Sequence, residues 1–224
     1  MSHAHPTQPP IRGVPLGDHA LLLILGDRVD RAIHARVLSL TATLHRAGLP
    51  GVTDVVPAFS TIGLWFDPAS TTFERLLDEV GRLGPAPVSV ADRANDPVNE
   101  WVIPTRYDGP DLAEVAERTG LSPSEVVARH VGRVYTVFMI GFVPGFGFLG
   151  ELDPALVLPR RSSPRRRVPA GSVAIAGAQT AVYPLDTPGG WHLIGRTDLA
   201  LFDPEREPPA LLRTGDRVRF EPIP

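Results

Sequence analysis

The residues best able to do chemistry are concentrated in the second half of the chain. Gly141-Phe142-Val143-Pro144-Gly145-Phe146-Gly147-Phe148-Leu149-Gly150 places four glycines and three phenylalanines in ten positions. Glycine permits positive φ and close backbone approach, consecutive amides can form an anion-binding nest, and phenyl rings supply apolar walls. The competing reading is a tight turn at a barrel corner whose aromatic rings belong to the core.

Shortly after it, Pro159–Pro169 sets five arginines, Arg160, Arg161, Arg165, Arg166 and Arg167, between prolines that restrain the backbone. Guanidinium forks grip carboxylates and phosphates in bidentate fashion, although a charged run also commonly serves only as a solvated face. Gln179 follows Gly171–Ala178 and carries an amide that donates and accepts at once, which suits reading an amide or a lactam. The stretch Thr187–Thr197 adds the turn Gly189-Gly190, then Trp191, His192 and Arg196. His192 is the acid/base candidate, against the alternative of a structural histidine on a strand. Gln179 and His192 are therefore the catalytic candidates. Phe142, Pro144, Gly145, Phe146, Arg160, Arg165, Arg167, Tyr183, Gly189, Gly190 and Trp191 are the substrate-binding candidates.

Other chemistries are excluded by composition. The 224 residues contain no cysteine, so there are no disulfides, thiolate nucleophiles or Cys-based zinc sites. All 22 basic residues are arginine. A Walker A lysine, a Schiff base and a biotinyl-lysine are thus absent. No His/Asp/Glu cluster has metal-ligand spacing, and no serine sits in a nucleophile-elbow motif. With 22 basic against 25 acidic residues the net charge is −3. An anion site must then be local, and nucleic acid is not an expected partner. The pair Asp111–Thr119 and Ser122–His130 has the spacing of a helix-turn-helix, but Asp111, Glu114, Glu117 and Glu125 stand where phosphate contacts need basic residues. The simpler reading is an αα-hairpin packed on a barrel.

Positioning these residues requires two domains. Residues 1–17 are Pro-rich and polar, without the basic start and apolar stretch of a secretory signal, and read as a disordered tail of a cytoplasmic protein. No run approaches the ~20 apolar residues of a membrane span. Residues 18–92 read as a small α/β sandwich of split βαβ type: a strand at Ala20–Leu25, a helix with Val29, Ile33, Val37, Leu40 and Leu44 at helical spacing behind Asp27 or Asp30, two strands or a bent edge strand within Val52–Phe66, and a second helix opening at Thr71 with Glu74 as a capping box. Ala91–Pro97 reads as the linker. In residues 98–224, a strand at Trp101–Tyr107 and the two helices precede short apolar segments at Tyr135–Ile140, Val173–Ala176, Ala181–Tyr183, Trp191–Ile194, Leu199–Phe202 and Val218–Phe220, the pattern of a closed or nearly closed barrel.

Together Gly-Phe-x-Pro-Gly-Phe at 141–146, Leu152-Asp153-Pro154, the run from Arg167 to Gly177, Gln179-Thr180, Val182-Tyr183-Pro184 and Pro188-Gly189-Gly190-Trp191 closely resemble the family of the 5-oxoprolinase B subunit. That family includes the inhibitor of a sporulation histidine kinase and is similar to allophanate hydrolase subunit 1 and to part of the urea carboxylase carboxyltransferase region. The resemblance extends through Asp18-His19, Gly26-Asp27, Ala47-Gly48-Leu49 and Asp54–Ala58. It implies an α+β protein with a small α/β N-terminal domain and a cyclophilin-like β-barrel C-terminal domain. It also implies an ATP-dependent opening of 5-oxoproline to glutamate, with a larger C subunit and an A subunit of the same enzyme as partners. ATP would be used by the complex, with no cofactor bound by this chain. The alternatives are a regulatory inhibitor of a sensor histidine kinase or an enzyme component that works on urea-derived substrates. Phe148 departs from the tyrosine of many relatives, which removes a hydroxyl; Gly147 and Arg166 also differ. In the mechanism so implied, the arginines and loop amides hold the carboxylate or phosphorylated form of a cyclic amide, and Gln179 and His192 orient the reacting group.

Overall fold

The structure, a computed structural model, describes residues 11–84 and 98–224. The chain divides into two compact units between Pro97 and Val98. The linker expected at Ala91–Pro97 and the first part of the expected tail lie outside the described residues.

In the first unit β1 (Arg12–Pro15), β2 (Ala20–Ile24), β3 (Val52–Ala58) and β4 (Thr61–Phe66) form an antiparallel sheet in the order β1-β2-β4-β3. Arg12–Pro15 was expected within the disordered tail; it is instead an edge strand, with Gly13 opposite Leu23 and Pro15 opposite Leu21. Its edge position tolerates Pro15, as the opposite edge β3 tolerates Pro57. Between β2 and β3 runs α1 (Arg31–Ala47), capped by Asp30, whose carboxylate accepts from the amides of Ala32 and Ile33, and closed by Gly48 in the left-handed region. Following β4, α2 (Phe73–Leu83) is capped by Thr72, one residue later than expected. Thr71 is buried instead, its methyl lying where a side chain on Gly51 would go. Leu21, Leu23, Val37, Leu40, Ile62, Leu64, Leu76 and Val80 meet in one core.

The second unit is a barrel. Its strands are β5 (Glu100–Thr105), β6 (Tyr135–Ile140), β7 (Gly147–Gly150), β8 (Arg165–Val168), β9 (Ser172–Ala176), β10 (Gln179–Val182), β11 (Thr187–Gly189), β12 (His192–Arg196) and β13 (Arg217–Pro222). Seven of them follow the order β12-β9-β10-β7-β6-β13-β5, with β13 and β5 parallel and the other pairs antiparallel. Arg106 and Arg196 exchange backbone hydrogen bonds of 2.8 Å each way, joining the two edge strands and nearly closing the sheet. Ile103, Tyr135, Val137, Leu149, Val173, Ile175, Val182, Ile194, Val218 and Phe220 fill the interior.

Two helices pack on this barrel, α3 (Leu112–Thr119) and α4 (Pro123–Val131), the latter with a complete Ser122/Glu125 capping box. Val115, Ala116 and Val126 enter the barrel core. The spacing that resembles a helix-turn-helix is therefore an apolar face turned inward. The expected strand at Leu199–Phe202 does not form; Phe202 makes one bridge to Ala210, and the carbonyls of Ala200 and Leu201 accept from the Arg206 guanidinium. In contrast β7, β8 and β11, unexpected from the sequence, form where glycine, arginine and proline sit within a ladder.

Candidate functional site

The outer face of the barrel carries a second apolar cluster made by Phe146, Val168, Ala174, Ala176, Ala181, Tyr183, Trp191 and Leu193. The alanines on β9 and β10 are small, which leaves room above the sheet for rings supplied by loops. The β6–β7 turn brings Phe142 and Phe146, and β7 brings Phe148. Phe146 is edge-on to Phe142, Phe148, Tyr183 and Trp191 at ring distances of 4.8–5.7 Å. Such edge-to-face arrangements are favourable beyond their buried area.

A cavity of about 200 Å³ opens among Phe142, Phe146, Phe148, Arg160, Pro164, Tyr183, Pro188, Gly189, Gly190 and Trp191. The β6–β7 turn is shaped by glycine where it must be: Gly145 has φ 77°, and a side chain there would meet the Phe202 Cβ at 2.7 Å. Phe142 has φ 73°, a conformation that costs a non-glycine residue about 1–3 kcal/mol. It is 62% exposed at the cavity edge. Strain and exposure in one phenylalanine are the kind of local disadvantage that functional positions carry.

At the cavity floor the Tyr183 phenol is held against Gly189, where a Cβ would lie 2.3 Å from the hydroxyl. Burial pushes the Tyr183 phenol upward from its usual pKa, opposed by a hydrogen bond from the Trp191 amide and by the nearby charges of Arg160 and Arg165. The phenol therefore stays protonated. A protonated phenol keeps its O–H as a donor.

The arginine tract has divided roles. Arg160 is exposed, lines the cavity and has no carboxylate partner among the described residues. Arg161 donates to Asp111 at 3.1 Å and to Glu114 at 2.7 Å, and Arg165 donates to Asp111 at 2.6 Å. Arg167 donates to Asp186 at 2.7 Å, and Arg166 is exposed and does not line the cavity. Asp111 is the buried centre of this arrangement. It stands at the start of α3 yet makes no side-chain cap, since its second oxygen accepts from the Leu193 amide at 2.7 Å. Arg161 also anchors its loop by donating its backbone N–H to the Gly190 carbonyl at 2.8 Å.

The structure thus gathers Phe142, Phe146, Arg160, Tyr183, Gly189, Gly190 and Trp191 of the expected set into one cavity. Pro144 and Gly145 shape the turn without lining it, and Arg165 and Arg167 are engaged by carboxylates. Gln179 shares the outer face with Ala181 and Tyr183 by strand alternation, four residues from Tyr183, and does not line the cavity. The His192 ring points elsewhere. It is fully buried, with Nε2 donating to the Pro159 carbonyl at 3.0 Å and Nδ1 lying 3.8 Å from Glu114.

Phe148 was read from the sequence only as one of the apolar walls of the glycine-rich turn, and Pro164, Pro188, Asp111 and Glu114 were not read as site residues. The signal for the last two was present: Pro159–Pro169 contains five arginines and no acid, so its counterions had to come from elsewhere. The signal for Phe148 was its place near the start of β7, two residues after Phe146, where the two rings meet at 4.8 Å. Among the described residues no cluster of His, Asp and Glu could hold a metal ion.

An outer-face cavity on a mixed barrel, in a chain that also carries a small split βαβ sandwich, defines a class. The chain belongs to the carboxyltransferase domain family, whose subdomain C and D model matches residues 11–212. The 5-oxoprolinase B subunit of Bacillus subtilis (strain 168) is 41% identical over 221 residues, covering 92% of this chain and 90% of that protein. The 5-oxoprolinase B subunit of Escherichia coli O157:H7 is 43% identical over 212 residues, covering 92% and 94%. Among solved structures, TTHA0988 superposes with a TM-score of 0.80 at 44% identity over 96% of this chain, which spans 40% of that longer chain.

Proposed function

We propose that this chain is the B subunit of an ATP-dependent 5-oxoprolinase, opening 5-oxoproline to L-glutamate in the cytoplasm together with the enzyme's A and C subunits. The names of the full-length relatives support the reading, and the observation that carries it is the cavity. It is small and aromatic-walled, with one unpaired guanidinium and one phenol donor, which suits a compact ring bearing one carboxylate and one amide carbonyl. Arg160 pairs with the carboxylate, and the Tyr183 O–H donates toward the lactam oxygen. Phe142, Phe146, Phe148 and Trp191 exclude water, which strengthens both contacts. His192 acts at one remove, holding the Pro159 carbonyl and so the loop that carries Arg160.

ATP is a substrate of the complex. This chain has no lysine and hence no Walker A P-loop. The test is glutamate formation from 5-oxoproline by the co-expressed polypeptides, with and without ATP and with and without this chain. ATP-dependent glutamate that disappears when this chain is omitted is the expected result. An assembled complex that makes none overturns the proposal.

A further inference from the structure

The pocket's charge is set by a residue outside it. Five arginines lie within eight positions, a density that would suit a dianion such as a phosphate monoester or a dicarboxylate. The structure shows that most of that charge is already matched. Asp111, with a side chain 4% exposed, takes both Arg161 and Arg165, Glu114 takes Arg161 as well, and Asp186 takes Arg167. Among the described residues, Arg160 is the arginine that both lines the cavity and lacks a carboxylate partner.

Asp111 also fixes the geometry around that charge. Its carboxylate accepts from the Leu193 amide, its own amide donates to the Leu193 carbonyl at 3.0 Å, and so it ties α3 to the strand that follows Trp191. Through Arg161 and Arg165 it brackets Pro164, which lines the cavity. A buried aspartate at a helix start that leaves the helix uncapped is being used for something else. Here it neutralises two guanidiniums on either side of a binding loop.

We propose that Asp111 is a specificity-determining positioning residue that limits the pocket to one net positive charge, so that it selects monoanionic ligands over dianionic ones of similar size. This rests on the reading of the cavity as the site for the ring carboxylate. Its consequence is that 5-oxoproline, with one carboxylate and a neutral amide, is favoured over dianionic dicarboxylates of similar size.

The experiment titrates the full chain with three probes, 5-oxoproline, the neutral lactam 2-pyrrolidinone and the dicarboxylate glutarate, and reads heat by calorimetry. Wild type should bind 5-oxoproline more tightly than either of the others. Asp111→Asn keeps an acceptor for the Leu193 amide but removes the charge, and should shift the 5-oxoproline to glutarate preference by about five-fold toward glutarate. Glu114→Gln, at a half-exposed site where folding is not at risk, should shift it the same way by a smaller factor. Thermal unfolding of each variant confirms that it is folded, so that an unchanged ratio reports on specificity and not on damage. If wild type prefers 5-oxoproline and both variants keep that ratio, the role of Asp111 is overturned while the pocket reading stands. If wild type binds no probe, the pocket reading falls and this inference with it.

Discussion

At the residue scale the pocket depends on one absent side chain. Gly189 lies beneath the Tyr183 phenol, and a methyl there would sit 2.3 Å from the hydroxyl and 2.9 Å from the ring. Tyr183 is 1% exposed and is packed edge-on against Phe146, so it can retreat only into the cavity. Gly189→Ala should therefore weaken 5-oxoproline binding at least about ten-fold, with a stability loss of roughly 1–3 kcal/mol from overpacking. Ligand titration and thermal unfolding of the same sample measure both; unchanged affinity would remove Tyr183 from the site. The sequence grouped Gly189 and Trp191 through their residue types, and Tyr183 came from the family resemblance. It did not separate Arg160 from Arg165 and Arg167, because the pairing of those two depends on Asp111 and Asp186, acids distant in sequence.

At the element scale, helix ends and continuous apolar strands were legible, and strands made of unusual residues were not. Asp30, Ser122 and Gly48 cap helices by local chemistry that neighbouring residues suffice to reveal. The strand Tyr135–Ile140 has the same limits in sequence and structure. By contrast Arg165–Val168 is a strand because Thr187 and Gly189 pair with it, a tertiary cause that overrides propensity.

One connection between elements shows how α4 is fixed to the barrel. His130 is fully buried, with Nδ1 2.7 Å from the Tyr107 hydroxyl and Nε2 2.8 Å from Thr180 Oγ1. The Thr180 hydroxyl donates to the Ala174 carbonyl, so Nε2–H donates to threonine and Nδ1 accepts from tyrosine. The ring is thereby neutral, and burial lowers its pKa to about 3 from an ordinary 6.5. A depressed histidine binds protons in the unfolded chain first. Its contribution to stability is intact above pH 6.5 and declines as pH falls from there toward 3. Replacing His130 with Gln should lower stability at neutral pH and flatten the loss between about pH 6 and 4, as followed by chemical denaturation across that range. A variant with the wild-type pH slope would show that other groups drive acid unfolding.

At the scale of the whole molecule the two units have separate cores, and every residue lining the cavity belongs to Val98–Pro224. The barrel closes on itself through Arg106 and Arg196, and Asp216 gathers the start of β5 by accepting from the Asn99 amide, the Trp101 indole and the Arg213 amide. Among the described residues, no strand of the barrel sheet is supplied by the first unit. The segment from Val98 to the end should then fold cooperatively when produced alone and bind 5-oxoproline within about two-fold of the full chain, since its buried apolar surface is that of an independent domain. Glutamate production by the assembled enzyme should nonetheless fail with this fragment if the first unit serves assembly. Binding retained with turnover lost would assign recognition to the barrel and assembly to the small sandwich, whereas a fragment that folds but does not bind would show that the cavity needs the first unit to take its working shape.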